Sequence, residues 1–276
     1  MVQVSAADAA KLRKMTGAGM MDCKKALEET DGDFEKAADV IRKRGLLVAS
    51  KRADRDANEG CVLASISADG KFGVVTALNC ETDFVAKNGD FIALAESINK
   101  TALETKPASL DALKSTPVNG RNVSDLITDK VGITGEKMDL SFFGSVQAEK
   151  VIAYIHPGNQ LATIVGFNKA GMDEQVYKDV AMQVAAMFPV AVDKDSIAAD
   201  VLEKEREIGR DQARQEGKPE NMIEKIAEGK LQKFVKERTL LNQEYIKDNK
   251  KTIAQFLQSI DKDLTVTAFK RFGLKD

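Results

Sequence analysis

The sequence predicts an α+β protein that combines an N-terminal group of three helices, two related units of antiparallel sheet and helix, and an inserted antiparallel helical hairpin. Three observations predict this fold class. Apolar residues recur every three to four positions before residue 45 and every second position after residue 60. A hairpin-plus-helix pattern occurs twice, about 88 residues apart, which indicates two related subdomains. A charged helical stretch, residues 196–238, follows the second copy.

The first 45 residues predict three short helices that must pack on one another, because helices of about 10 residues are marginal alone. Each has a start and a stop signal. The predicted helices are one from Ser5 to Lys14, a second that Met20 and Met21 open and Asp31-Gly32 ends, and a third that Asp33 caps and Gly45 ends.

Residues 46–59 predict a charged linker. Between Arg42 and Arg55 the chain carries six cations and one acid, Asp54. A solvated helical linker is one interpretation, and a tether for nucleic acid is the other.

Two subdomains are predicted next, one over 60–145 and one over 146–195 that is completed by 239–276. In the first, Asp69-Gly70 is a hairpin signal. In the second, Pro157-Gly158 takes that place. The predicted strands are 61–67, 72–79, 151–156 and 161–167, and the predicted helices begin at Asp90 and near Val176. The tail predicts a helix over 252–257 and an edge strand over 264–272.

Residues 196–238 predict two antiparallel helices broken at Gly217-Lys218-Pro219. Ten acids and ten bases cancel, and pairs three residues apart are typical of a solvated helix face. The predicted pairs are Glu203–Arg206, Glu207–Arg210 and Asp211–Arg214, and the predicted apolar seam is Ile197, Val201 and Ile208 facing Ile223, Ala227, Leu231 and Phe234. The seam either only holds the hairpin together or also binds a partner, so a homodimer through the hairpin stays open.

Length and charge restrict the partners. At 276 residues the chain exceeds the usual domain length of about 150 residues, so it has room for two or more units. Lysine and arginine number 41, aspartate and glutamate 43, and the formal net charge is −2. Such a chain has no global positive field for nucleic acid or an anionic membrane. With no Trp, three Tyr and 12 Phe it also has few platforms for stacking bases. A nucleic-acid partner is therefore not expected, and any such binding would have to be local.

Residues suited to catalysis or metal binding are scarce. The single histidine, His156, excludes sites that need two imidazoles. Cys23, Cys61 and Cys80 lie 38 and 19 residues apart, which fits neither a metal knuckle nor a disulfide framework. The sequence contains no phosphate-binding glycine loop, nucleophile elbow or zinc-protease motif. We expect no catalytic residue, no metal, no cofactor and no direct nucleotide binding.

The start of the chain and its cysteines predict a cytoplasmic protein. Residues 1–8 contain an acid and no apolar core of a signal peptide, and no apolar run in the chain reaches 18 residues. Three cysteines, an odd number, fit a reducing compartment. We expect no membrane association.

Two features stand outside this pattern. Phe84 lies beside Asp83 in the polar connection after the second strand. It either folds back onto the following helix as a staple or is an exposed anchor for another protein. His156 ends a strand before Pro-Gly, where a local hydrogen bond and a functional contact are both open.

Three motifs, in order along almost the whole chain, resemble those of the translation elongation factor Ts family. They are Thr16-Gly17-Ala18-Gly19-Met20-Met21-Asp22-Cys23-Lys24-Lys25-Ala26-Leu27, then Asn79-Cys80-Glu81-Thr82-Asp83-Phe84-Val85-Ala86, then Glu216-Gly217-Lys218-Pro219-Glu220 running on to Leu240-Leu241-Asn242-Gln243. The resemblance implies a ubiquitin-associated-like domain over 1–45, two related core subdomains and a coiled-coil hairpin over 196–238.

The resemblance also implies a function, which is to bind elongation factor Tu and release its GDP. Phe84, with Asp83 beside it in the motif Thr82-Asp83-Phe84-Val85, would wedge between two helices of the GTPase and disturb the magnesium and phosphate end of its site. Met20 and Met21 would contact the same GTPase domain, and His156 would contribute from the second subdomain.

Two other classes of function are open without the resemblance. One is an adaptor whose three-helix unit captures a peptide or a ubiquitin-like partner. The other is an RNA-associated protein that uses the cations between Arg42 and Arg55, for which a steep salt dependence of RNA affinity would be diagnostic.

Overall fold

A computed structural model describes residues 3–276, and Met1 and Val2, the start of the predicted 1–45 unit, lie outside the described residues. Within those residues the fold is mixed, with α-helices and antiparallel sheets, which confirms the α+β class. The helices are α1 (Ala6–Thr16), α2 (Met20–Glu29), α3 (Phe34–Lys51), α4 (Asp83–Ala86), α5 (Gly89–Thr105), α6 (Leu110–Lys114), α7 (Val123–Thr134), α8 (Glu174–Met187), α9 (Ala199–Gln215), α10 (Glu220–Arg238) and α11 (Ile253–Ile260). The strands are β1 (Glu59–Ile66), β2 (Phe72–Cys80), β3 (Pro117–Val118), β4 (Arg121–Asn122), β5 (Met138–Gln147), β6 (Lys150–Ile155), β7 (Leu161–Phe167), β8 (Glu244–Tyr245), β9 (Asp248–Thr252) and β10 (Val266–Gly273).

The N-terminal helices begin where their caps predict. The Ser5 hydroxyl accepts the Asp8 N–H at 3.1 Å, and Asp33 accepts two N–H groups at the start of α3. The three helices share a small apolar core that consists of Ala9, Leu12, Ala18, Cys23, Ala26, Leu27 and Ala37. The likeness to a ubiquitin-associated domain stays a prediction.

The third helix does not end at Gly45, as the sequence predicted, and continues to Lys51. Gly45 is buried where α3 packs on α7, and a Cβ atom added to Gly132 of α7 would lie 2.6 Å from the Gly45 Cα. This close approach of two backbones outweighs the low helix propensity of glycine, about 1 kcal/mol relative to alanine. The predicted linker 46–59 therefore starts as helix, and its Val48 packs on the core of the first sheet.

Two three-stranded antiparallel sheets form the body of the protein. Sheet 1 has the order β1-β2-β5 and sheet 2 the order β10-β7-β6. The two predicted hairpins are confirmed as β1–β2 and β6–β7, and the predicted edge strand is confirmed as β10. Helix α5 is capped by Asn88, not by Asp90 as predicted, since the Asn88 side chain accepts the Asp90 N–H at 2.9 Å.

The sheets pack face to face with helices on both outer sides. Alternate residues of each strand point into the space between the sheets, and the others point toward the helices. The residues buried between the sheets are Val62, Ala64, Val75, Ala77, Val146, Val151, Ala162 and Ile164. Helices α5 and α7 cover sheet 1, and α8 and α11 cover sheet 2. The body therefore has four layers in the order helix, sheet, sheet, helix. Because the two sheets face each other, the β6–β7 turn of sheet 2 lies beside β1 of sheet 1.

Helices α9 and α10 pack on one another as the antiparallel pair predicted for 196–238, and the coiled-coil description stays a prediction. Their buried residues are Gly209, Ala213, Ile223, Ala227 and Leu231. The predicted seam residues Val201 and Ile208 are instead 38% and 39% exposed. The small residues explain the difference, because a Cβ on Gly209 would lie 3.1 Å from the Ala227 Cα.

The ion pairs of this hairpin follow the prediction in part. Glu203–Arg206 and Asp211–Arg214 form. Arg210 does not pair with Glu207 as predicted, and binds Glu203 at 3.0 Å and Glu224 of the opposite helix at 2.8 Å. A guanidinium that reaches two carboxylates, one of them with two N–H groups, makes the stronger set of bonds.

Two further points concern the whole chain. The predicted subdomain boundary at 145 falls inside β5, and the division into separately folding domains stays a prediction. Among residues 3–276, no helix has the length and apolar content needed to cross a membrane.

Candidate docking surface around Phe84

Phe84 lies on α4, a single helical turn between β2 and α5. Its side chain is 84% exposed. Its neighbours Val85 and Ala86 pack instead on the core of sheet 1. The hypothesis that Phe84 folds back as a staple is therefore wrong.

Thr82 anchors the start of α4. Its hydroxyl donates to Glu136 Oε1 at 2.7 Å, and its N–H donates to Glu136 Oε2 at 3.1 Å. The same hydroxyl accepts the Val85 N–H at 3.4 Å, so Thr82 is the N-cap of α4. The Cys80 thiol donates to the Thr82 carbonyl at 3.2 Å.

Glu81 forms a second anchor next to the first. Its carboxylate accepts the Lys137 N–H at 2.6 Å and two bonds from Arg52 Nη1 at 2.9 and 3.0 Å. The Lys137 N–H and, to a lesser extent, the Arg52 guanidinium lower the pKa of Glu81 below its usual range. The bond to Arg52 ties the end of α3 to the segment that carries Phe84.

Asp83 faces solvent beside Phe84 and pairs with Lys87. Lys87 Nζ lies 2.7 Å from Asp83 Oδ2, and both side chains are largely exposed. The hydrogen bond from Lys87 lowers the pKa of Asp83, so the carboxylate is charged at neutral pH. The exposed surface of α4 therefore combines an aromatic ring with an exposed ion pair.

The buried cysteines of this region, Cys61 and Cys80, are unreactive thiols. Burial raises the pKa of Cys61 to about 11 and that of Cys80 to about 12, so both thiols are neutral. Among residues 3–276, no three His, Cys, Asp or Glu side chains are grouped so as to hold a metal ion.

The structure brings the Phe84 segment next to the turn that follows His156. The Asn159 carbonyl accepts the Val62 N–H at 2.7 Å, which fixes the β6–β7 turn against β1. Asp83 and Lys87 then face Gly158 and Asn159 across an open cleft of about 480 Å³.

His156 is exposed at the end of β6. Its Nδ1 lies 3.0 Å from the Tyr154 hydroxyl, so the local hydrogen bond considered from the sequence is present. The ring also lines a mostly apolar groove with Leu161, Met182 and Ile246. A local bond and an accessible ring therefore coexist.

Met20 and Met21 open α2 in the N-terminal unit, apart from the cleft described above. Their side chains are 36% and 64% exposed, whereas Cys23 of the same helix is buried. The N-terminal unit packs on the core mainly where α3 meets α7. The structure thus presents these methionines to solvent without joining them to Phe84.

Half of the basic run between Arg42 and Arg55 is occupied by ion pairs. Arg42 lies 3.5 Å from Asp125, Arg44 2.5 Å from Glu29, and Arg52 2.9 Å from Glu81. Cations that are held in ion pairs attract phosphates less than free ones, and the RNA-binding interpretation stays a prediction.

Two residues of this surface were not predicted from the sequence, Glu136 and Arg52. Their partners Thr82 and Glu81 lie 54 and 29 residues away along the chain. No local spacing signals such a contact.

An exposed aromatic on an anchored turn, next to a charge and a cleft, is typical of the surfaces with which partner-binding proteins contact other proteins. The model of the family Elongation factor TS matches residues 81–276. The elongation factor Ts of Porphyromonas gingivalis is 53% identical over 98% of both chains. That of Cytophaga hutchinsonii is 50% identical over 99% of this chain and 100% of its own, and that of Christiangramia forsetii is 47% identical over the same shares. This chain belongs to the elongation factor Ts family of translation elongation factors.

Proposed function

We propose that this chain is a guanine nucleotide exchange factor of protein synthesis that acts in the cytoplasm. It binds elongation factor Tu·GDP and accelerates the release of GDP, so that GTP can bind. Membership of the elongation factor Ts family supports the function, and the observation that carries the mechanism is the exposure of Phe84, which is 84%.

Phe84 acts as a wedge between two helices of the GTPase nucleotide domain. A packed helix seam has no space for an added aromatic ring, so entry of the ring moves the helices. The displacement disturbs the end of the site that holds magnesium and phosphate. Asp83 stands beside the ring on α4, and Thr82 and Val85 hold the turn in shape.

The exchange needs no catalytic side chain and no covalent step. A partner that prefers the nucleotide-free shape of the GTPase weakens GDP binding by a certain factor. GDP weakens binding of that partner by the same factor. The chain contributes binding free energy to the GTPase and does not itself bind the nucleotide, a metal or a cofactor.

The size of the effect requires more contacts than Phe84 alone. Burial of a phenylalanine side chain yields about 1.5 to 3 kcal/mol, and each factor of ten in affinity takes about 1.4 kcal/mol. One wedge therefore supplies about a tenfold to hundredfold change. We propose that Met20 and Met21 on α2 and His156, directly after β6, supply further contacts to elongation factor Tu, because all three are accessible.

The remaining proposals concern organisation. Residues 1–45 act as a ubiquitin-associated-like docking unit, and the α9–α10 hairpin serves at most for self-association as a coiled coil. Its charge balance and its small buried seam of five residues support a role outside the core.

The proposed function is tested by release of a fluorescent GDP from elongation factor Tu in a stopped-flow instrument. We expect substoichiometric amounts of the wild-type chain to speed release. In equilibrium titrations we expect the chain to weaken GDP binding by the same factor by which GDP weakens binding of the chain. If the rate is the same with and without the chain, the proposal is wrong.

A further inference from the structure

Glu136 lies in the turn between α7 and β5, on a different part of the chain from Phe84, and both of its carboxylate oxygens bind Thr82. One side chain thus takes up the N–H and the O–H of the residue that lies two positions before Phe84. A carboxylate that accepts two hydrogen bonds makes stronger bonds than a neutral acceptor would.

This contact determines the conformation of the turn that carries Phe84. Because the Thr82 hydroxyl donates its hydrogen to Glu136, its lone pairs are free to accept the Val85 N–H. Helix α4 has only four residues, and a helix of one turn has little stability of its own. Its geometry therefore depends on the anchor at Thr82.

The fold places Glu136 accurately for this role. Gly135 ends α7 with φ +72°, a left-handed conformation that favours glycine. The Glu136 N–H donates to the Thr134 hydroxyl at 3.2 Å. Two residues later, Met138 pairs with Cys80 in the sheet, so the sheet and the carboxylate hold the start of the Phe84 segment together.

A second set of bonds supports the first. Lys137 donates its N–H to Glu81, and its Nζ donates to the carbonyls of Ala53 and Arg55 at 2.7 and 2.8 Å. The end of α3, the turn before Phe84 and the α7–β5 turn are therefore joined by hydrogen bonds.

We propose that Glu136 is a positioning residue for nucleotide exchange, which holds Thr82 so that Phe84 projects outward before the GTPase binds. The inference rests on the proposed function of Phe84. A wedge that is ordered in advance loses less binding free energy to ordering on the partner, so more remains for distortion of the GTPase.

Hydrogen–deuterium exchange of the free chain tests the structural half without any partner. In Glu136→Ala we expect amides in residues 82–88 to exchange about tenfold faster, because the bond to a charged acceptor is lost. Glu149→Ala is the matched control, since Glu149 pairs with Lys71 in an exposed turn elsewhere, and it should leave residues 82–88 unchanged. Thr82→Val, which removes the hydroxyl and keeps the shape, provides a second variant if Glu136→Ala fails to fold.

GDP release from elongation factor Tu tests the functional half. We expect Glu136→Ala to slow stimulated release about tenfold, and Glu136→Gln, which keeps an acceptor oxygen, to recover part of the rate. In a Phe84→Ala background the Glu136→Ala change should have no further effect, because the residue acts only through Phe84. A residue that merely stabilises the fold would slow release by the same factor in both backgrounds.

Two results would overturn the inference: unchanged exchange in residues 82–88 of Glu136→Ala, or equal slowing in the presence and absence of Phe84. If the wild-type chain does not stimulate release, the proposed function fails. Hydrogen exchange alone then decides whether Glu136 fixes the turn.

Discussion

Glu81 and Phe84 lie three residues apart, and the fold largely buries the charged side chain while it exposes the apolar one. The Glu81 side chain is 13% exposed although it carries a charge, whereas the Phe84 ring is 84% exposed although it is apolar. The carboxylate is stable there because Arg52 and the Lys137 N–H satisfy it. Folding leaves most of the Phe84 ring in water. Burial of the ring against a partner can therefore still contribute binding free energy.

Glu81→Gln should lower the free energy of unfolding by about 1 to 3 kcal/mol near pH 7, since hydrogen bonds to a charged acceptor are lost. The pKa of Glu81 is lower in the folded than in the unfolded chain. Its contribution is therefore complete above the usual value of 4.5 and disappears as the pH falls through the lower, folded value. Urea unfolding at about pH 6 and about pH 3 measures the difference, which should shrink at the acidic pH.

The matched control is Glu104→Gln. The Glu104 side chain is 62% exposed, and its ion pair with Lys100 is long at 3.8 Å. This control should change stability by less than about 0.5 kcal/mol at either pH. Equal losses at both pH values for Glu81→Gln would contradict the account of the carboxylate.

At the scale of elements, the contact between α3 and α7 joins the N-terminal unit to the core. It depends on Gly45 and Gly132, which bring the two helix backbones together. The hairpin of α9 and α10 depends on small residues too, through Gly209 and Ala227. In both places a glycine inside a helix serves packing and does not end the helix.

Gly132→Ala should destabilise the protein by about 1 to 3 kcal/mol, because its Cβ would lie 2.6 Å from the Gly45 Cα and one helix must move. Gly229→Ala in α10 is the control, since a Cβ there has no neighbour within 4 Å. It should stabilise by up to about 1 kcal/mol through helix propensity. Thermal and urea unfolding measure both, and two variants of equal stability would show that α3 and α7 do not pack closely.

Replacement of residues 209–228 by a short Gly-Ser turn should leave the melting temperature of the body within about 5 °C of wild type. The removed part buries few apolar residues, and its ion pairs are exposed and individually weak. Differential scanning calorimetry measures the transition. A broad transition of low enthalpy would show that the hairpin belongs to the core.

At the scale of the whole molecule, local signals predicted much of the fold. Caps, turn residues and periods of two or three to four residues gave the N-terminal helices, both hairpins and the last strand. Residues 106–147 carry no predicted element, although Met138, Leu140 and Val146 alternate as in a strand. The partner of β5 is β2, about 60 residues away, and no local pattern specifies such a pairing.

The exposed residues of the candidate site were predictable from the sequence. The residues that hold the Phe84 segment in place were not. The sequence singled out Phe84 because an aromatic in a polar connection is unusual, but its exposure was decided only by the structure. Glu136 and Arg52 became visible only when the fold brought distant segments together. Local rules do not report such contacts because they depend on the packing of whole layers.

The central claim is that the exposed ring of Phe84 drives GDP release, and Phe84→Ala tests it most directly. We expect the unfolding free energy in urea to change by less than about 1 kcal/mol, since the ring is exposed. Ile260→Ala, at another apolar side chain that is 46% exposed, serves as the control and should leave release unchanged.

The deciding measurement is the stopped-flow rate of fluorescent GDP release from elongation factor Tu at matched concentrations of wild type, Phe84→Ala and Ile260→Ala. The account predicts release slowed about tenfold to hundredfold by Phe84→Ala alone. A stably folded Phe84→Ala that stimulates release as well as wild type would contradict it.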